Sequence, residues 1–295
     1  MKYAWIHEHR DSFPIAVMCD ALRVSTSGYY DSLMRRPGPR AERHRRIQQA
    51  VRQAHAESHG IYGSHKIADV LEKRDDLEGA CRNTVALAMR ELGLESRVIK
   101  AFKPTTTQAD PAKQPAENKL AQDFTADAPN RKWVTDITYL PTAAGWVYLA
   151  AVIDLFSRKV VGWSLSTSLA TELVCEALRR AVESRRPHGQ QLLHHSDRGC
   201  QYTSDTYQQT LRLLGIECSM SRTGCCYDNA AMERFFWSLK HEWTNHDSYA
   251  DLEAARLSVF KYIEAFYNTV RIHQTLGYLS PNQYEAEHAP AQQAA

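Results

Sequence analysis

The sequence contains no run of about 20 apolar residues, which excludes a membrane-spanning helix. Its first residues, MKYAWIHEHRDSF, are charged and lack the apolar stretch of a secretory signal, so the cytoplasm is the expected location. The seven cysteines are scattered, and none belongs to the paired CxxC pattern of a zinc site. Their odd number and the neighbouring pair Cys225 and Cys226 argue against a disulfide framework. We therefore expect reduced thiols in a cytosolic globular protein.

Charge is unevenly distributed, although the net charge is only +2. Residues 1–105 contain 18 Lys and Arg against 13 Asp and Glu, which leaves 18 against 21 for the remainder. Residues 35–46 hold six Arg and one Glu. A basic front half joined to a slightly acidic back half suggests one part that grips nucleic acid and one that carries carboxylates. A solvated Arg-rich linker would explain the same charges, so both interpretations stay open.

The front of the sequence predicts small helical modules. Apolar periodicity indicates short helices over 13–22 and 29–34, a long one over 41–57, and further helices in HGIYGSHKIADVLEKR and CRNTVALAMRELGL, the last ending at Gly93. A DNA-binding helix-turn-helix motif has this layout: one helix, a short turn, and a second helix that begins with basic residues. Arg82, Asn83 and Thr84 are then predicted to enter the major groove, and Lys66 to contact phosphate. Small helical bundles that bind no DNA share this pattern.

From residue 131 the sequence predicts an α/β core with five strands. Alternating or continuous apolar residues indicate strands over 132–140, 147–153, 158–165, 191–195 and 216–220, and helices over 171–183, 204–214, 228–243 and 251–267. Residues 103–130 are rich in Thr, Pro, Ala, Gln and Asn and have no apolar periodicity. The predicted domains are a short helical segment (1–40), a helix-turn-helix DNA-binding module (41–102), a linker (103–130), the catalytic core (131–285) and a tail (286–295).

Three acidic residues occupy positions suited to phosphodiester chemistry. Asp136 interrupts the apolar strand WVTDITYL, Asp197 directly follows the strand LLHH, and Glu233 lies on the helix YDNAAMERFFWSLK. A buried carboxylate needs a cation or several hydrogen bonds, and two Mg²⁺ ions roughly 4 Å apart stabilise the attacking and leaving oxygens of an in-line displacement. Lys240 follows Glu233 by seven residues, about 20° around a helix, which suits contact with a DNA phosphate. An ordinary surface Glu/Lys helix remains the alternative for this pair.

Other polar residues have simpler expected roles. Asp154 is predicted to form an Asx-turn at a strand end, and Asp228 to cap the helix of Glu233. His194 and His195 suit a structural role, with metal or DNA contact as the alternative. Trp237 suits packing, with stacking on a DNA base as the alternative.

Four segments together resemble one protein family: WVTDITYLPTAAGWVYLAAVIDLFSRKVVGW, HSDRGCQYTS, GCCYDNAAMERFFWSLKHE and YNTVRIHQTLGYLSPNQYE. They are similar to bacterial insertion-sequence transposases of the retroviral-integrase type, and especially to the second-frame (OrfB) product of the family typified by insertion sequence three. The family's Asp, Asp, Glu signature has 35 residues between its last two members, as Asp197 and Glu233 have here, and the basic residue seven positions later is Lys240.

The resemblance implies an RNase H-like core, with mixed strands and flanking helices, behind helix-turn-helix modules. It implies that Asp136, Asp197 and Glu233 hold two Mg²⁺ ions, or Mn²⁺ in their place, for cleavage at the element's ends and strand transfer. The expected partners are double-stranded DNA, as transposon end and target, and further copies of the chain in an oligomer on DNA. The expected location is the nucleoid of a bacterial cytoplasm.

Two other functions stay open from the sequence. An RNase H-like nuclease would cut DNA without joining it. A DNA-binding regulator would modulate a longer transposase without catalysis, because the family's active enzyme is usually a frameshifted fusion with an upstream-frame product. That upstream product supplies a leucine zipper, and no heptad zipper is visible in this sequence.

Overall fold

The front of the chain is helical in the computed structural model, which describes residues 2–34, 38–74, 80–97, 116–187, 191–222 and 226–288. Three short helices, α1 (Lys2–Glu8), α2 (Ile15–Ala21) and α3 (Thr26–Met34), surround a small core of Ile6, Met18, Cys19 and Tyr29. The turn expected at 75–79, the first part of the predicted linker (103–115) and most of the predicted tail (289–295) lie outside the described residues. No helix in the described ranges has the length and apolar composition needed to cross a lipid bilayer.

The second helical module comprises α4 (Pro39–Glu57), α5 (Ser64–Glu72) and α6 (Arg82–Glu91). Helix α4 begins at a proline, whose missing N–H would have no helical partner in the first turn. Val85 and Met89 are buried on one face of α6, as the sequence predicts. Gly93 follows that helix with a φ of +63°, a backbone conformation in which glycine is favoured, so the predicted helix end is confirmed.

A five-stranded mixed sheet forms the centre of the back half. Its strands are β1 (Lys132–Thr142), β2 (Gly145–Asp154), β3 (Val160–Ser166), β4 (Leu193–Ser196) and β5 (Glu217–Met220), in the order β3-β2-β1-β4-β5. The first three strands pair antiparallel, while β4 runs parallel to both β1 and β5. The predicted α/β core of RNase H-like type is therefore confirmed.

Alternation along the strands divides the core between the two faces of the sheet. In β2, Leu149, Ala151 and Ile153 pack with the later helices, whereas Ala150 and Val152 pack with the helices between the strands. The first set of helices is α9 (Ala230–Glu242) and α10 (Leu252–Phe260), and the second is α7 (Thr171–Arg185) and α8 (Asp205–Leu213). Helix α11 (Pro281–His288) bonds through Glu285 to Arg185 of α7 and to Ser157 of the β2–β3 turn. The single helix predicted over 251–267 continues from α10 as a π-helix, Lys261–Tyr267. A 3₁₀ turn, Cys226–Asn229, precedes α9, and two more occur at Thr244–His246 and Gln274–Leu276.

Helix α7 approaches β3 closely at a glycine. A Cβ atom at Gly162 would lie 2.3 Å from the Ala177 carbonyl oxygen and 2.5 Å from the Ala181 nitrogen. These separations are below van der Waals contact, so only glycine permits this packing.

Residues 116–130, the second half of the predicted linker, pack against the sheet. The Ser219 hydroxyl of β5 accepts hydrogen bonds from the amides of Lys119 and Leu120, at 2.9 and 3.1 Å. The Leu120 side chain is buried. This part of the segment therefore contributes to the core, which its polar composition does not indicate.

The second helical module is joined to the back half by polar and aromatic contacts. The Tyr62 hydroxyl donates to the Val270 carbonyl at 3.0 Å and accepts from the Ile272 amide at 2.9 Å. The His59 ring packs edge-on against Trp243, with the ring centroids 5.0 Å apart. One continuous cluster of buried apolar residues runs from α4 to the π-helix.

Candidate active site

Asp136 lies in the middle of β1, opposite Ala151 of β2. It is half-buried, and its carboxylate accepts a hydrogen bond from the Ile137 amide at 2.7 Å. Val134 packs in the cluster that includes α9, and residues two apart in a strand point to the same face. The strand therefore directs Asp136 to the side of the sheet covered by α9.

Asp197 is placed beside Asp136 by the pairing of β1 with β4. Val134 pairs with His195 in this parallel ladder, so the same register extended by two residues brings Asp136 next to Asp197. Asp197 directly follows β4 and accepts a hydrogen bond from the Gly199 amide at 2.9 Å. The predicted strand-end position of Asp197 is confirmed.

Glu233 lies in the first turn of α9 and is exposed to solvent. Burial raises the pKa of Asp136 well above its usual value, and the negative charges of Asp197 and Glu233 raise it further. The Ile137 amide and the Lys240 ammonium lower the same pKa and only partly offset those effects. The charges of Asp197, Glu233 and Lys240 therefore all act on Asp136.

Oxygen ligands from carboxylates are those that Mg²⁺ prefers, so the chemistry of this donor set fits the metal. Within the described ranges, however, no group of three Asp, Glu, His or Cys side chains lies close enough together to hold a metal ion. The strand register brings Asp136 and Asp197 together, and the charge of Glu233 acts on Asp136 as well. That all three bind metal stays a prediction.

Lys240 lies near the carboxylates and rests on an aromatic ring. Its ammonium is 4.4 Å from the centroid of Tyr139, which in turn packs edge-on against the half-exposed Trp146. Burial lowers the pKa of Lys240, and Asp136 partly opposes this shift. The Lys240 side chain therefore rests on the β1–β2 hairpin, where the charge of Asp136 acts on it.

The residues predicted to contact DNA in the front module are found on two different surfaces. Arg82 and Asn83 are exposed at the start of α6, and Thr84 beside them is half-buried, with its hydroxyl 3.2 Å from the Cys81 sulfur. Lys66 instead lies half-buried in a cavity that faces the back half of the chain. Burial and the charge of Arg271 lower the pKa of Lys66 to about 8.

That cavity also contains Arg158 and Arg234, which the sequence did not single out. Arg158 lies in the β2–β3 turn with a φ of +60°, and Arg234 follows Glu233 on α9. No sequence signal links either residue to Lys66, because only the tertiary packing brings the three segments together.

Two of the remaining predictions are confirmed and one is wrong. Asp154 accepts a hydrogen bond from the Phe156 amide at 3.0 Å, as an Asx-turn does. His194 is buried with its Nε2 atom 2.7 Å from the Tyr207 hydroxyl, and burial lowers its pKa to about 3, so its role is structural. Asp228 does not cap α9, because its buried carboxylate accepts hydrogen bonds from side chains far along the sequence, including those of Asn118 and Gln122.

His195 and Trp237 also have protein groups as neighbours. The ring of His195 lies between the hydroxyls of Ser219 and Ser221, at 2.8 and 3.1 Å. Trp237 stacks on the ring of His241. The expectation of reduced thiols agrees with five free cysteines in the described ranges: Cys19, Cys81, Cys175, Cys200 and Cys218.

Comparison with known families and proteins agrees with this architecture. Residues 126–226 and 214–281 match two models of the integrase core domain, and residues 42–102 match an HTH-like domain. Transposase InsF for insertion sequence IS3A of Escherichia coli (strain K12) is 42% identical over 289 residues, which cover 97% of this chain and 98% of that protein.

A second relative and a solved structure are more distant. The insertion element IS600 uncharacterized 31 kDa protein of Shigella sonnei is 35% identical, and the matched residues cover 92% of this chain and 98% of that protein. A chain of the simian T-cell lymphotropic virus intasome, solved by cryo-EM in complex with PP2A regulatory subunit B56 gamma, is 15% identical. The match covers 82% of this chain and 76% of that chain, with a TM-score of 0.46.

Proposed function

This chain belongs to the insertion-sequence IS3 family of integrase-core transposases, and we propose that it cleaves the DNA ends of its element and transfers the freed strand. The integrase core and the HTH-like domain imply DNA binding and an activity of the polynucleotidyl-transferase type. The observation that carries the finer proposal is the strand register that sets Asp136 beside Asp197, with the charge of Glu233 acting on the same carboxylate.

The proposed reaction needs no nucleophile from the protein. A water molecule, and then a DNA 3′-hydroxyl, attacks a phosphodiester in line with the leaving oxygen. Asp136, Asp197 and Glu233 would hold two Mg²⁺ ions, or Mn²⁺ in their place, which when bound stabilise the attacking and leaving oxygens. Lys240 would hold a neighbouring phosphate, because its ammonium already lies near Asp136 and is oriented by the Tyr139 ring.

Glu233 has a separate part in this proposal. Glu233 is exposed in the first turn of α9, and in this proposal it completes the metal site when metal and DNA are both bound. We therefore expect Glu233→Gln to weaken Mg²⁺ binding by the DNA-free protein less than Asp136→Asn does. Calorimetric titration of each purified variant with Mg²⁺ measures this difference without any readout of activity, and equal losses would contradict the proposed order of assembly.

A labelled duplex carrying the element's end, incubated with the purified chain and Mg²⁺, tests the catalytic assignment. We expect Asp136→Asn, Asp197→Asn and Glu233→Gln each to abolish cleavage while the fold is retained. Glu183→Gln is the matched control, because it removes an exposed carboxylate of α7 that forms an ion pair with Arg179, away from the candidate site. Near-normal cleavage by any of the three variants would overturn the assignment.

The same assay separates the alternative functions. Joined product in addition to cleaved product indicates a transposase, whereas cleavage without joining indicates a nuclease. If neither forms, the upstream-frame product is supplied as a fusion; failure of the fusion as well would favour the non-catalytic DNA-binding regulator. The homo-oligomer on DNA and the nucleoid location stay predictions, and sedimentation of the protein–DNA complex tests the first.

A further inference from the structure

A cavity of about 410 Å³ lies between the second helical module and the catalytic core. Three basic side chains from distant parts of the sequence line it: Lys66 of α5, Arg158 of the β2–β3 turn and Arg234 of α9. No described residue that lines this cavity is an aspartate or a glutamate. Its volume falls within the range of about 300–1,000 Å³ that is usual for ligand sites.

Each of the three cations is held in place by a neutral partner. The Lys66 ammonium lies 4.9 Å from the Tyr62 ring centroid, the Arg158 guanidinium donates to the Phe124 carbonyl at 3.1 Å, and Arg234 lies over the Trp237 ring. As far as the chain is described, none of the three forms an ion pair. The three side chains are therefore oriented without an ion-pair partner in the described ranges, although the charge of Glu242 also acts on Lys66.

A fourth cation, Arg271, lines the cavity but is neutralised by Glu242, with which it forms two hydrogen bonds. The combined field of these groups acts on His273 in the same cavity. Burial lowers the pKa of His273 well below its usual value, and the charges of Arg271, Lys66, Arg158 and Arg234 lower it further. Lys66, Arg158 and Arg234 therefore give the lining of this cavity an excess of positive charge.

Lys66 and Arg158 are half-buried and Arg234 is exposed, and like charges that lie close together without ion-pair partners repel one another, so stability does not explain their grouping. A bound anion would remove that repulsion. The first turn of α9 adds to the attraction, because Ala230 and Ala231 line the cavity and a helix N-terminus favours negative charge. Arg234 also follows Glu233 on α9, so one helix carries both a residue of the cavity and a residue of the proposed catalytic site.

We propose that this cavity binds one phosphate group of the DNA backbone, held jointly by Lys66, Arg158 and Arg234. The identification of the anion as DNA rests on the proposed function. The bound phosphate would connect three elements, α5, the β2–β3 turn and α9, and would fix the DNA strand next to Glu233. Lys66 is then a phosphate contact, as the sequence predicts, but its phosphate lies at the junction with the core.

The test measures binding of a fluorescent duplex carrying the element's end over a series of salt concentrations. All proteins carry Asp136→Asn and Mg²⁺ is omitted, so that no cleavage interferes. We expect Lys66→Gln, Arg158→Gln and Arg234→Gln each to weaken binding about tenfold and to reduce the slope of log K against log salt by about 0.9. Arg179→Gln removes a positive charge from the surface of α7 and should change neither quantity.

Two further variants test whether the losses arise from misfolding or from contacts with separate phosphates. Lys66→Arg keeps the charge and should retain most of the affinity, so a loss in Lys66→Gln alone reflects charge and not misfolding. In the double variant Lys66→Gln/Arg158→Gln the losses should not be additive, because both residues hold the same phosphate. Additive losses in affinity and slope would mean separate phosphates and would overturn the proposal.

Inorganic phosphate distinguishes the source of the anion. If the cavity is a site for free phosphate, inorganic phosphate will raise the melting temperature of the wild type but not of the Lys66→Gln variant, and DNA affinity will be the same in both. That result overturns the DNA assignment. Binding is measured here without catalysis, so the two proposals can fail separately. Absence of cleavage in the catalytic assay would overturn the proposed function but not the phosphate site. Unchanged DNA affinity in all three variants would overturn the phosphate site but not the proposed function.

Discussion

Replacing Arg271 by methionine is expected to destabilise the protein strongly. The guanidinium donates to the two carboxylate oxygens of Glu242, from Nε at 2.6 Å and from Nη2 at 2.5 Å, and to the Ser238 hydroxyl at 3.2 Å. The side chains of the pair are only 7% and 8% exposed. After the substitution, the charged Glu242 would keep the Tyr262 hydroxyl, now 3.2 Å away, as a hydrogen-bond donor.

The magnitude follows from the burial of the carboxylate that is left behind. Removing one partner of a buried ion pair costs about 3–5 kcal/mol. A chain of this size loses about 2–4 °C in melting temperature for each kcal/mol, which gives a decrease of about 6–20 °C for Arg271→Met. Arg179, whose exposed guanidinium pairs with Glu176 and Glu183, provides the comparison, because surface pairs contribute about 0–1 kcal/mol each.

Urea denaturation of the wild type, Arg271→Met, Arg179→Met and the double variant Arg271→Met/Glu242→Gln measures these free energies. The double variant should be more stable than Arg271→Met, because it no longer buries an unpaired charge. A loss below about 1 kcal/mol in Arg271→Met, equal to that of Arg179→Met, would refute the reasoning.

Three further predictions concern other parts of the fold. Gly162→Ala should cost about 3 kcal/mol or more in urea denaturation, because its Cβ would lie 2.3 Å from the Ala177 carbonyl oxygen. Burial raises the pKa of Glu285, but hydrogen bonds from Arg185 and its charge lower it more, so the net pKa lies below the usual 4.5. The stability of the wild type should therefore fall as the pH drops below about 4.5, and the stability of Glu285→Gln should fall less over the same range. The pKa of Lys66 is about 8 in the folded protein and 10.5 ordinarily, so between these two pH values the unfolded chain binds more protons at Lys66. Stability should therefore rise with pH across that window. Lys66→Met should abolish the rise and raise the melting temperature at neutral pH.

The sequence predicts most of the strands and helices of the core because their apolar patterns are local. The alternation around Asp136 and the apolar run before Asp197 locate both carboxylates at their observed elements. The Asx-turn of Asp154 is predicted for the same reason, since its hydrogen bond spans two residues.

Features that depend on distant contacts are not predictable in this way. Asp228 is predicted as a helix cap because the sequence does not show that Asn118 and Gln122 reach it from another segment. The convergence of Lys66 with Arg158 likewise depends on how α5 packs against the β2–β3 turn. The adjacency of Asp136 and Asp197 needs the parallel pairing of β1 with β4, which periodicity alone does not specify.

The Tyr62 hydroxyl, which bonds both the Val270 carbonyl and the Ile272 amide, fastens the helix-turn-helix module to the catalytic core. In the proposed transposase this contact would fix the distance between the helix-turn-helix module and the catalytic site. If α6 contacts DNA as the sequence predicts, the dimensions of the protein would set the number of base pairs between that contact and the bond that is cut. Inserting residues into 103–115 should then leave the cut in place, whereas Tyr62→Phe should make its position less uniform.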